Sequence, residues 1–306
     1  MSKFVIISPC YNEEKLVLDF LTELEKTLLK TSHVFTVIMV DDCSTDSSLE
    51  KLLQFKFQSS ENKYKIIRLG YNIGHQGAIK QGIRYARKFD ADGYIVIDAD
   101  GEDDPEAILK LVEQPLTDIM FVSRGKRTQS VAFKIAYFLY KILFKIISGV
   151  NINFGNYSII SKRVFDSICM QDFDHYSAFL SRSKYRKGLI KFDRRRRIDG
   201  VSKMKFNDLV FHGLKSLIEY SEELMLFFIR ILFLLFIFFL GFGGYVLYGK
   251  FISHEAIPGW TSNIALGLIN SMLITAGIIV IGLLILSQKN RSKSYKDIFT
   301  EYNSQK

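Results

Sequence analysis

The stretch YIVIDADGED at residues 94–103 decides the fold, because an apolar run ends there abruptly in a group of carboxylates. Its first half has the β-branched and aromatic composition of a buried strand. Asp98 and Asp100 flank Ala99 directly after that strand, so both carboxylates can turn toward one point where the backbone leaves the sheet. Such a pair suits Mg²⁺ or Mn²⁺, which binds through one or two carboxylates and substrate phosphates, and Glu102 is a candidate third ligand. The alternative interpretation is a solvated turn.

Four more apolar runs of this kind alternate with amphipathic stretches in the first 123 residues. The predicted strands are KFVIIS (3–8), VFTVIMV (34–40), YKIIRL (64–69), GYIVID (93–98) and DIMFVS (118–123), with helices predicted over 13–30, 45–57, 75–88 and 105–113. Continuous apolar strands joined by helices indicate an α/β fold with a mostly parallel, Rossmann-type sheet that binds ligands beyond the C-terminal ends of its strands. Polar clusters follow all five strands, so we expect one functional edge.

Two further acidic pairs lie at this edge. Asp103 and Asp104 are assigned mainly to capping a helix that begins near Pro105. Asp41 and Asp42 follow the second strand and precede an N-cap cluster of Ser44, Thr45 and Asp46. If that cluster caps the next helix, a carboxylate at position 41 or 42 is left to accept hydrogen bonds from a base or ribose.

Residues 224–249 and 263–286 are each apolar and long enough to cross about 30 Å of hydrocarbon. A pair of buried core helices is the disfavoured alternative, since stretches apolar on every face are uncommon in soluble domains. The connection 250–262 holds one lysine and one glutamate, whereas the tail 287–306 is basic, so the positive-inside rule places both termini in the cytoplasm. The sequence therefore predicts an integral membrane protein, of a bacterial inner (plasma) membrane, with a transmembrane hairpin and a cytosolic domain over 1–205.

Two amphipathic helices are predicted beside the membrane. Residues 130–148 carry three lysines on one helical face, which is typical of an interfacial helix; a third span is the alternative. Residues 206–223 are predicted to form a juxtamembrane helix that leads into the first span. Residues 182–205 hold eleven Lys or Arg against two Asp, a local charge of +9 that equals the net charge of the whole chain. This charge favours anionic headgroups first and phosphate groups second. Nucleic acid is the weakest interpretation, and we expect no nucleic-acid partner.

Five motifs in this order, followed by two apolar segments, resemble family 2 inverting glycosyltransferases. The motifs are SPCYNEE (8–14), VDDCSTD (40–46), NIGHQGAIKQG (72–82), DADGEDDPE (98–106) and RIDGVSK (197–203). The resemblance covers nearly the whole chain and is to the polyisoprenyl-phosphate sugar transferases related to dolichol-phosphate mannose synthase. It implies a GT-A fold, a nucleotide-sugar donor (UDP- or GDP-sugar) and a metal, Mg²⁺ or Mn²⁺.

The resemblance also implies roles for individual residues. The donor-binding positions are Pro9, Tyr11, Glu13, Val40, Asp42, Asp98, Ala99 and Arg124. The metal positions are Asp98, Asp100 and Glu102. The positions implied to contact donor and lipid phosphates are Arg197, Ser202 and Lys203. The catalytic positions are then Asp100, Arg197, Lys203 and Asn156, of which Asn156 stands where relatives carry an Asp.

The expected reaction is metal-dependent, inverting transfer of a sugar to a polyisoprenyl phosphate, undecaprenyl or dolichyl, at the cytosolic membrane face. The product would serve cell-envelope glycan or lipid modification, for example of lipopolysaccharide. Asn156 and Ser158 replace an Asp and an Arg of the family's GDFRL-like segment. A hydroxyl acceptor would suffer from the missing carboxylate, because its proton must be removed during attack. A phosphate monoester has a second pKa of about 6, so it is largely a dianion at neutral pH and can attack without a base.

Two rival functions stay open. One is transfer to a hydroxyl of a glycolipid or polysaccharide, although the Q-x-x-R-W segment of processive synthases is absent from the sequence. The other is an inactive membrane-anchored binding or scaffold protein. Membrane lipids are expected partners, and a homo-oligomer is possible in principle. The three cysteines have no metal-ligand spacing, so we expect reduced core thiols without a function.

Overall fold

A computed structural model describes residues 1–115, 117–124, 141–142, 144–149, 154–192, 216, 218–253, 259–291 and 298–302. By its internal contacts the chain divides into two units. The first comprises Met1–Lys141, Val150–Glu219 and Tyr295–Lys306, and the second comprises Ile142–Gly149 and Tyr220–Ser294.

In the described part of the first unit, eight strands form one sheet in the spatial order β7-β5-β6-β4-β1-β2-β3-β8. The strands are β1 (Lys3–Cys10), β2 (Val34–Asp41), β3 (Lys63–Leu69), β4 (Gly93–Val96), β5 (Ile119–Arg124), β6 (Phe154–Ser161), β7 (Lys187–Phe192) and β8 (Phe299–Tyr302). The central pairs β4-β1, β1-β2 and β2-β3 are parallel. Strand β6 lies antiparallel between β4 and β5, which makes β4 and β5 run in the same direction.

The predicted mostly parallel sheet is therefore confirmed, and each of its five predicted strands is observed. The insertion of β6 between β4 and β5 was not predicted. The helices are Val17–Leu28, Ser48–Gln54, His75–Ala86, Ala107–Glu113, Lys162–Ile168, Tyr176–Arg182, Ser221–Tyr248 and Trp260–Arg291. The helices predicted in the first 123 residues all occur, with later starts in three of four cases because the loops that hold the polar clusters are longer than the pattern suggested.

Both faces of the sheet are covered, as the continuous apolar strands predict. Phe4 and Ile6 join one buried cluster, while Val5 and Ile7 join the other, because successive side chains of a strand point to opposite faces. On the second face Gly82 lets the helix His75–Ala86 lie close to the sheet. A Cβ atom at Gly82 would be only 2.4 Å from Ile7 Cγ2.

The C-terminal tail contains an element that the sequence analysis missed. It was predicted only as a basic segment, yet Phe299–Tyr302 forms β8, antiparallel to β3. Phe299 packs edge-on against Tyr85, with ring centroids 5.4 Å apart. Glu301 forms an ion pair with Lys88 at 3.1 Å. The tail thus supplies one edge of the sheet.

In the second unit the two predicted apolar helices are confirmed as Ser221–Tyr248 and Trp260–Arg291, and they pack against each other. Ser221–Tyr248 and Ser262–Ile285 are long and apolar enough to cross a membrane. Their most apolar windows are 0% and 11% buried, which disfavours the alternative of soluble core helices. At 1.5 Å per residue the 28-residue helix is about 42 Å long, more than the roughly 30 Å of a hydrocarbon core.

Several predicted segments lie wholly or partly outside the described residues. They are the interfacial helix 130–148, the basic cluster 182–205, the juxtamembrane helix 206–223, the loop 250–262 and the tail 287–306. Of the three cysteines, Cys10 and Cys169 are buried as expected. Cys43 is only half-buried, because it lies in a loop rather than in the core.

Candidate active site at the carboxyl edge of the sheet

The loops after β1 and β2 are joined by Asn12. Its Oδ1 accepts from the backbone N–H of Thr45 at 2.9 Å, and its own N–H donates to Ser44 Oγ at 3.0 Å. Asn12 and Cys43 both have positive φ, 53° and 58°. Asparagine tolerates this left-handed conformation, whereas cysteine does not favour it. A glycine at position 43 would adopt this conformation without strain.

The structure distinguishes the two carboxylates that follow β2. Asp41 accepts from Ser44 N–H at 3.2 Å and lies 3.4 Å from Arg68 Nε. Asp42 accepts from Ile73 N–H through Oδ1 at 2.8 Å, while its buried Oδ2 has no hydrogen-bond partner within the described part of the chain. Burial raises the pKa of the Asp42 carboxyl above its ordinary value. Asp42 is therefore the carboxylate with an acceptor atom available to a ligand, and Asp46 caps the next helix by accepting from Ser48 N–H at 2.9 Å.

The other predicted donor-binding residues lie along the same edge. Val40 is fully buried near the end of β2, and Pro9 is buried near the end of β1. Tyr11, which follows β1, is 43% exposed, so its ring is open to a ligand. Glu13 donates its backbone N–H to Ser48 Oγ at 2.7 Å, which orders the loop after β1.

The D-x-D segment, Asp98–Asp100, follows β4 by two residues, and the chain then turns at Gly101 with a φ of 72°. Asp100 Oδ1 accepts from Glu102 N–H at 3.0 Å, which fixes the turn. Asp103 Oδ2 accepts from Asp98 N–H at 3.4 Å, so Asp103 braces this segment. The sequence analysis assigned Asp103 mainly to capping.

Asp104 Oδ1 accepts from Glu106 N–H at 3.0 Å and so orders the turn that leads into the following helix, while the N-cap residue of that helix, Glu106, makes no side-chain cap hydrogen bond. The helix begins at Ala107, two residues after the predicted start at Pro105.

The donor atoms of the D-x-D segment fit a hard divalent cation. Asp98 is buried and Asp100 half-buried, and both offer carboxylate oxygens, which Mg²⁺ and Mn²⁺ prefer. Among the residues that the structure describes, no group of three His, Cys, Asp or Glu side chains could hold an ion alone. The arrangement suits a cation that takes its remaining ligands from substrate phosphates, as Mg²⁺ usually does. The metal role of Asp98, Asp100 and Glu102 stays a prediction.

His75 lies between the D-x-D segment and Asn156. Its Nε2 is 3.2 Å from Asp98 Oδ1 and 2.9 Å from Asn156 Nδ2. Asn156 Oδ1 in turn accepts from Gln76 Nε2 at 3.3 Å, and Gln76 Oε1 accepts from Tyr176 N–H at 2.6 Å. Asn156 is only 5% exposed, so these bonds hold its amide in one place.

Strand register explains why Asn156 is beside Asp98. In the antiparallel pair of β4 and β6, Val96 is opposite Ser158. Continuing that register by two residues on each strand places Asn156 opposite Asp98. Ser158, the second departure from the family pattern, is fully buried and shares a hydrogen bond with the Tyr176 hydroxyl at 3.2 Å. It therefore belongs to the core beneath the site.

Glu219, which lies shortly before the first apolar helix, is hydrogen-bonded to the residues that precede the helix Tyr176–Arg182. Its carboxylate is buried and accepts from the backbone N–H groups of Asp174 and His175, the latter at 2.9 Å. These amides lie at the start of the helix Tyr176–Arg182, and Tyr176 begins the hydrogen-bonded chain to Asn156.

Four predicted site positions cannot be located in this way. Arg124 is the last residue of β5, and its side chain lies outside the described residues. Arg197, Ser202 and Lys203 lie outside them entirely.

His75 was not among the site residues predicted from the sequence. Gly74, with a φ of 80°, precedes it and turns the chain into the helix. The signal available in the sequence was the position of His75 in a motif at the ligand-binding edge. Its contacts to residues 98 and 156 could not be read from the sequence.

The chain matches the model of Glycosyl transferase family 2 over residues 5–169 of 306, more than half of its length. An uncharacterized glycosyltransferase of Bacillus subtilis strain 168, YkcC, is 25% identical over 291 residues, 92% of this chain and 87% of that relative. An undecaprenyl-phosphate 4-deoxy-4-formamido-L-arabinose transferase of Pseudomonas aeruginosa PAO1 is 32% identical over 127 residues, 41% of this chain and 36% of that protein.

Two solved structures share the fold. Mannosyl-3-phosphoglycerate synthase from Rubrobacter xylanophilus aligns with a TM-score of 0.54 and 12% identity, over 73% of this chain and 74% of that one. Glucosyl-3-phosphoglycerate synthase from Mycobacterium tuberculosis, in complex with Mn²⁺, UDP and phosphoglyceric acid, aligns with a TM-score of 0.51 and 11% identity, over 72% and 78%. These similarities support the GT-A-like fold that the motifs implied. The match to the family model identifies the chain as a member of glycosyl transferase family 2 and thus as a glycosyltransferase.

Proposed function

We propose that this glycosyltransferase transfers a sugar from a nucleotide-sugar donor to a polyisoprenyl phosphate at the cytosolic face of a membrane, with inversion at the sugar's anomeric carbon. The observation that carries the proposal is the combination, in one chain, of an acidic nucleotide-type site and two helices able to span a membrane. The acidic site suits a water-soluble donor, and the two apolar helices suit an acceptor that is held in a bilayer.

The donor side rests on Asp42 and the D-x-D segment. Asp42 Oδ2 is a buried acceptor that a base N–H or a ribose hydroxyl could satisfy. Asp98 and Asp100 would hold the divalent cation that neutralises the pyrophosphate, and that cation would stabilise the charge developing on the leaving nucleoside diphosphate. UDP is a ligand of the Mycobacterium tuberculosis enzyme that shares the fold, which makes UDP-sugars the first donors to test, ahead of GDP-sugars.

The acceptor side rests on Asn156. Its amide is held by Gln76 and His75, and an amide cannot take a proton from an attacking hydroxyl. A phosphate monoester is largely a dianion at neutral pH, since its second pKa is about 6, and it can attack without a base. The relative that acts on undecaprenyl phosphate supports the same acceptor class. Arg197, Ser202 and Lys203 are proposed to bind the acceptor phosphate, with Arg124 and Arg197 reaching the donor.

The pairing of β8 with β3 supports a hairpin whose two ends lie on the same side of the membrane. Residues before and after the two apolar helices belong to one sheet, so the chain must cross the membrane an even number of times between them. The basic residues that follow the second helix favour the cytosolic side for both ends of the hairpin.

The test uses membranes that contain the full chain, incubated with undecaprenyl or dolichyl phosphate and a panel of labelled UDP- and GDP-sugars. We expect one sugar to enter the lipid fraction as a polyisoprenyl-phosphate sugar, identified by mass spectrometry, and no transfer by Asp100→Ala. Transfer only to a glycolipid hydroxyl or a polysaccharide would overturn the acceptor assignment. If the wild type binds nucleotide sugar but transfers none, and Asn156→Asp restores the transfer, the result would favour an inactive scaffold.

A further inference from the structure

Strand β8 of the C-terminal tail is paired with β3 by backbone hydrogen bonds. Its four residues lie opposite the end of β3 in an antiparallel register, and the ladder continues beyond them, because Gly70 N–H donates to Ile298 O at 2.9 Å. Hydrogen-bonded pairs alternate along such a ladder, so Arg68 and Thr300, two positions further on, also exchange backbone hydrogen bonds. On this side of the described sheet β8 is the outermost strand, and without it β3 would be an unpaired edge.

Side chains of β8 attach it to the helix that follows β3. Phe299 packs edge-on against Tyr85 of that helix, with ring centroids 5.4 Å apart. The carboxylate of Glu301 lies 3.1 Å from Lys88, just beyond the helix, and 3.6 Å from Lys65 in β3. Both ion pairs are partly exposed, where such pairs contribute little, so the ring contact and the backbone bonds provide most of the attachment. Strand β8 therefore joins the two elements on either side of the loop between β3 and the helix.

These two elements hold the loop that carries Asp42. The Arg68 side chain places Nε 3.4 Å from Asp41 Oδ2 and donates from Nη2 to Ser44 O at 3.4 Å. The loop after β3 supplies the backbone N–H of Ile73, which donates to Asp42 Oδ1 at 2.8 Å. The contacts of Arg68 and Ile73 thus fix the residues after β2 from the side on which β8 lies.

We propose that β8 is a positioning element of the donor site, which holds Arg68 and the loop after β3 in the arrangement that presents Asp42 to the donor nucleotide. The role of Asp42 in binding that nucleotide rests on the proposed function. The support that β8 gives to the surroundings of Asp42 does not, because it follows from the backbone and side-chain contacts alone. An unpaired β3 would open more readily, since strands at an edge lose the hydrogen bonds of one side.

The first test compares two changes at one exposed position of β8. Thr300→Pro removes the backbone N–H that bonds to Arg68, whereas Thr300→Ala keeps it and is the matched control. Binding of UDP, and separately of GDP, with Mn²⁺ is measured by calorimetry on the full chain in detergent. We expect Thr300→Pro to weaken nucleotide binding about tenfold, the lower end of the cost of losing a hydrogen bond to a charged group, and Thr300→Ala to bind as the wild type does. Wild-type affinity in a folded Thr300→Pro protein would overturn the proposal.

The second test follows hydrogen–deuterium exchange at single backbone amides by mass spectrometry. In Thr300→Pro we expect faster exchange at Gly70 and at Ile73, with unchanged exchange at Ile97, whose N–H donates to Ile7 O on the other side of β1. Faster exchange at Gly70 alone would contradict the proposal, because β8 would then leave without disturbing the contact to Asp42. Faster exchange at Ile97 as well would indicate a general loss of stability and would also count against a local role.

The two tests separate this proposal from the proposed function. If the wild type binds neither nucleotide, the donor assignment fails, and exchange at Ile73 still decides whether β8 orders the loop. If sugar is transferred to lipid, Thr300→Pro should raise the KM for the donor and leave that for the lipid phosphate unchanged; an equal rise in both would contradict a role at the donor site. Should Thr300→Pro fail to fold, Phe299→Ala takes its place with the same expected results, since it removes only the ring contact with Tyr85.

Discussion

Gly82→Ala is expected to disturb the site from a distance, because Gly82 sets how closely the helix His75–Ala86 lies against β1 and β2. A Cβ atom at this position would be 2.4 Å from Ile7 Cγ2 and 2.9 Å from Val40 Cγ2. Carbon atoms in contact normally stand about 3.5–4.0 Å apart, so the helix or the strands must move by about 1 Å. Ile7 and Val40 are fully buried and β-branched, and they have little freedom to rotate away.

Two opposing effects decide the size of the change. Replacing glycine by alanine inside a helix stabilises it by up to about 1 kcal/mol. Overpacking a tight core costs about 1–3 kcal/mol, and here both clashing side chains are stiff, so we take the upper part of that range. The net expectation is a loss of about 1–2 kcal/mol, or roughly 2–8 °C in apparent melting temperature at 2–4 °C per kcal/mol.

The assay combines thermal unfolding of the full chain in detergent with donor kinetics. Because the displaced helix carries His75 and Gln76, the donor KM should rise together with the loss of stability. Gly241→Ala is the matched control, since Gly241 also lies inside a helix and no atom of the described residues is within 4 Å of the position of its Cβ atom. A Gly82→Ala protein as stable and as active as the wild type would refute the close-packing argument.

Four other changes test the site. Asp100→Ala should abolish metal-dependent turnover in the sugar-transfer assay; unchanged activity would contradict the metal assignment. Asp42→Asn should weaken donor binding about 10–100-fold, the equivalent of a charged hydrogen bond of about 1.5–3 kcal/mol. The raised pKa of Asp42 also means that wild-type donor affinity, measured by calorimetry, falls on acidification at a higher pH than for an exposed aspartate, whereas Asp42→Asn should lack this dependence. Lys203→Ala should raise the KM for lipid phosphate more than that for the nucleotide sugar, and an equal effect on both would count against acceptor binding. Cys43→Gly should stabilise the protein by about 0.5–1 kcal/mol, because the φ of 58° is strained for cysteine, and a lower melting temperature would contradict this.

The sequence predicted the elements whose signals are local. The continuous apolar runs predicted the five strands. The polar clusters that follow these runs predicted the edge of the sheet at which Asp42 and Asp98 lie. The choice between Asp41 and Asp42 was not predictable, because it depends on Arg68, which reaches Asp41 from the neighbouring strand.

Other features depend on partners that are distant in the chain. The placement of Asn156 opposite Asp98 follows from β6, which enters the sheet antiparallel beside β4. The β8 strand gave no signal, since four residues in a basic tail have no periodicity to read. The contacts of His75 to residues 98 and 156 were not predictable for the same reason.

The position of β8 in the chain imposes an order on biogenesis. Phe299–Tyr302 is translated only after both apolar helices, so the outer edge of β3 has no partner in β8 while the hairpin is being made. An open strand edge is a template for aggregation. With the proposed transmembrane hairpin, β8 would cover this edge only after the second helix has returned the tail to the side on which the sheet has folded. With the proposed topology, completion of the sheet would therefore report correct membrane insertion, and a chain whose second helix failed to cross would keep β8 and β3 on opposite sides of the bilayer.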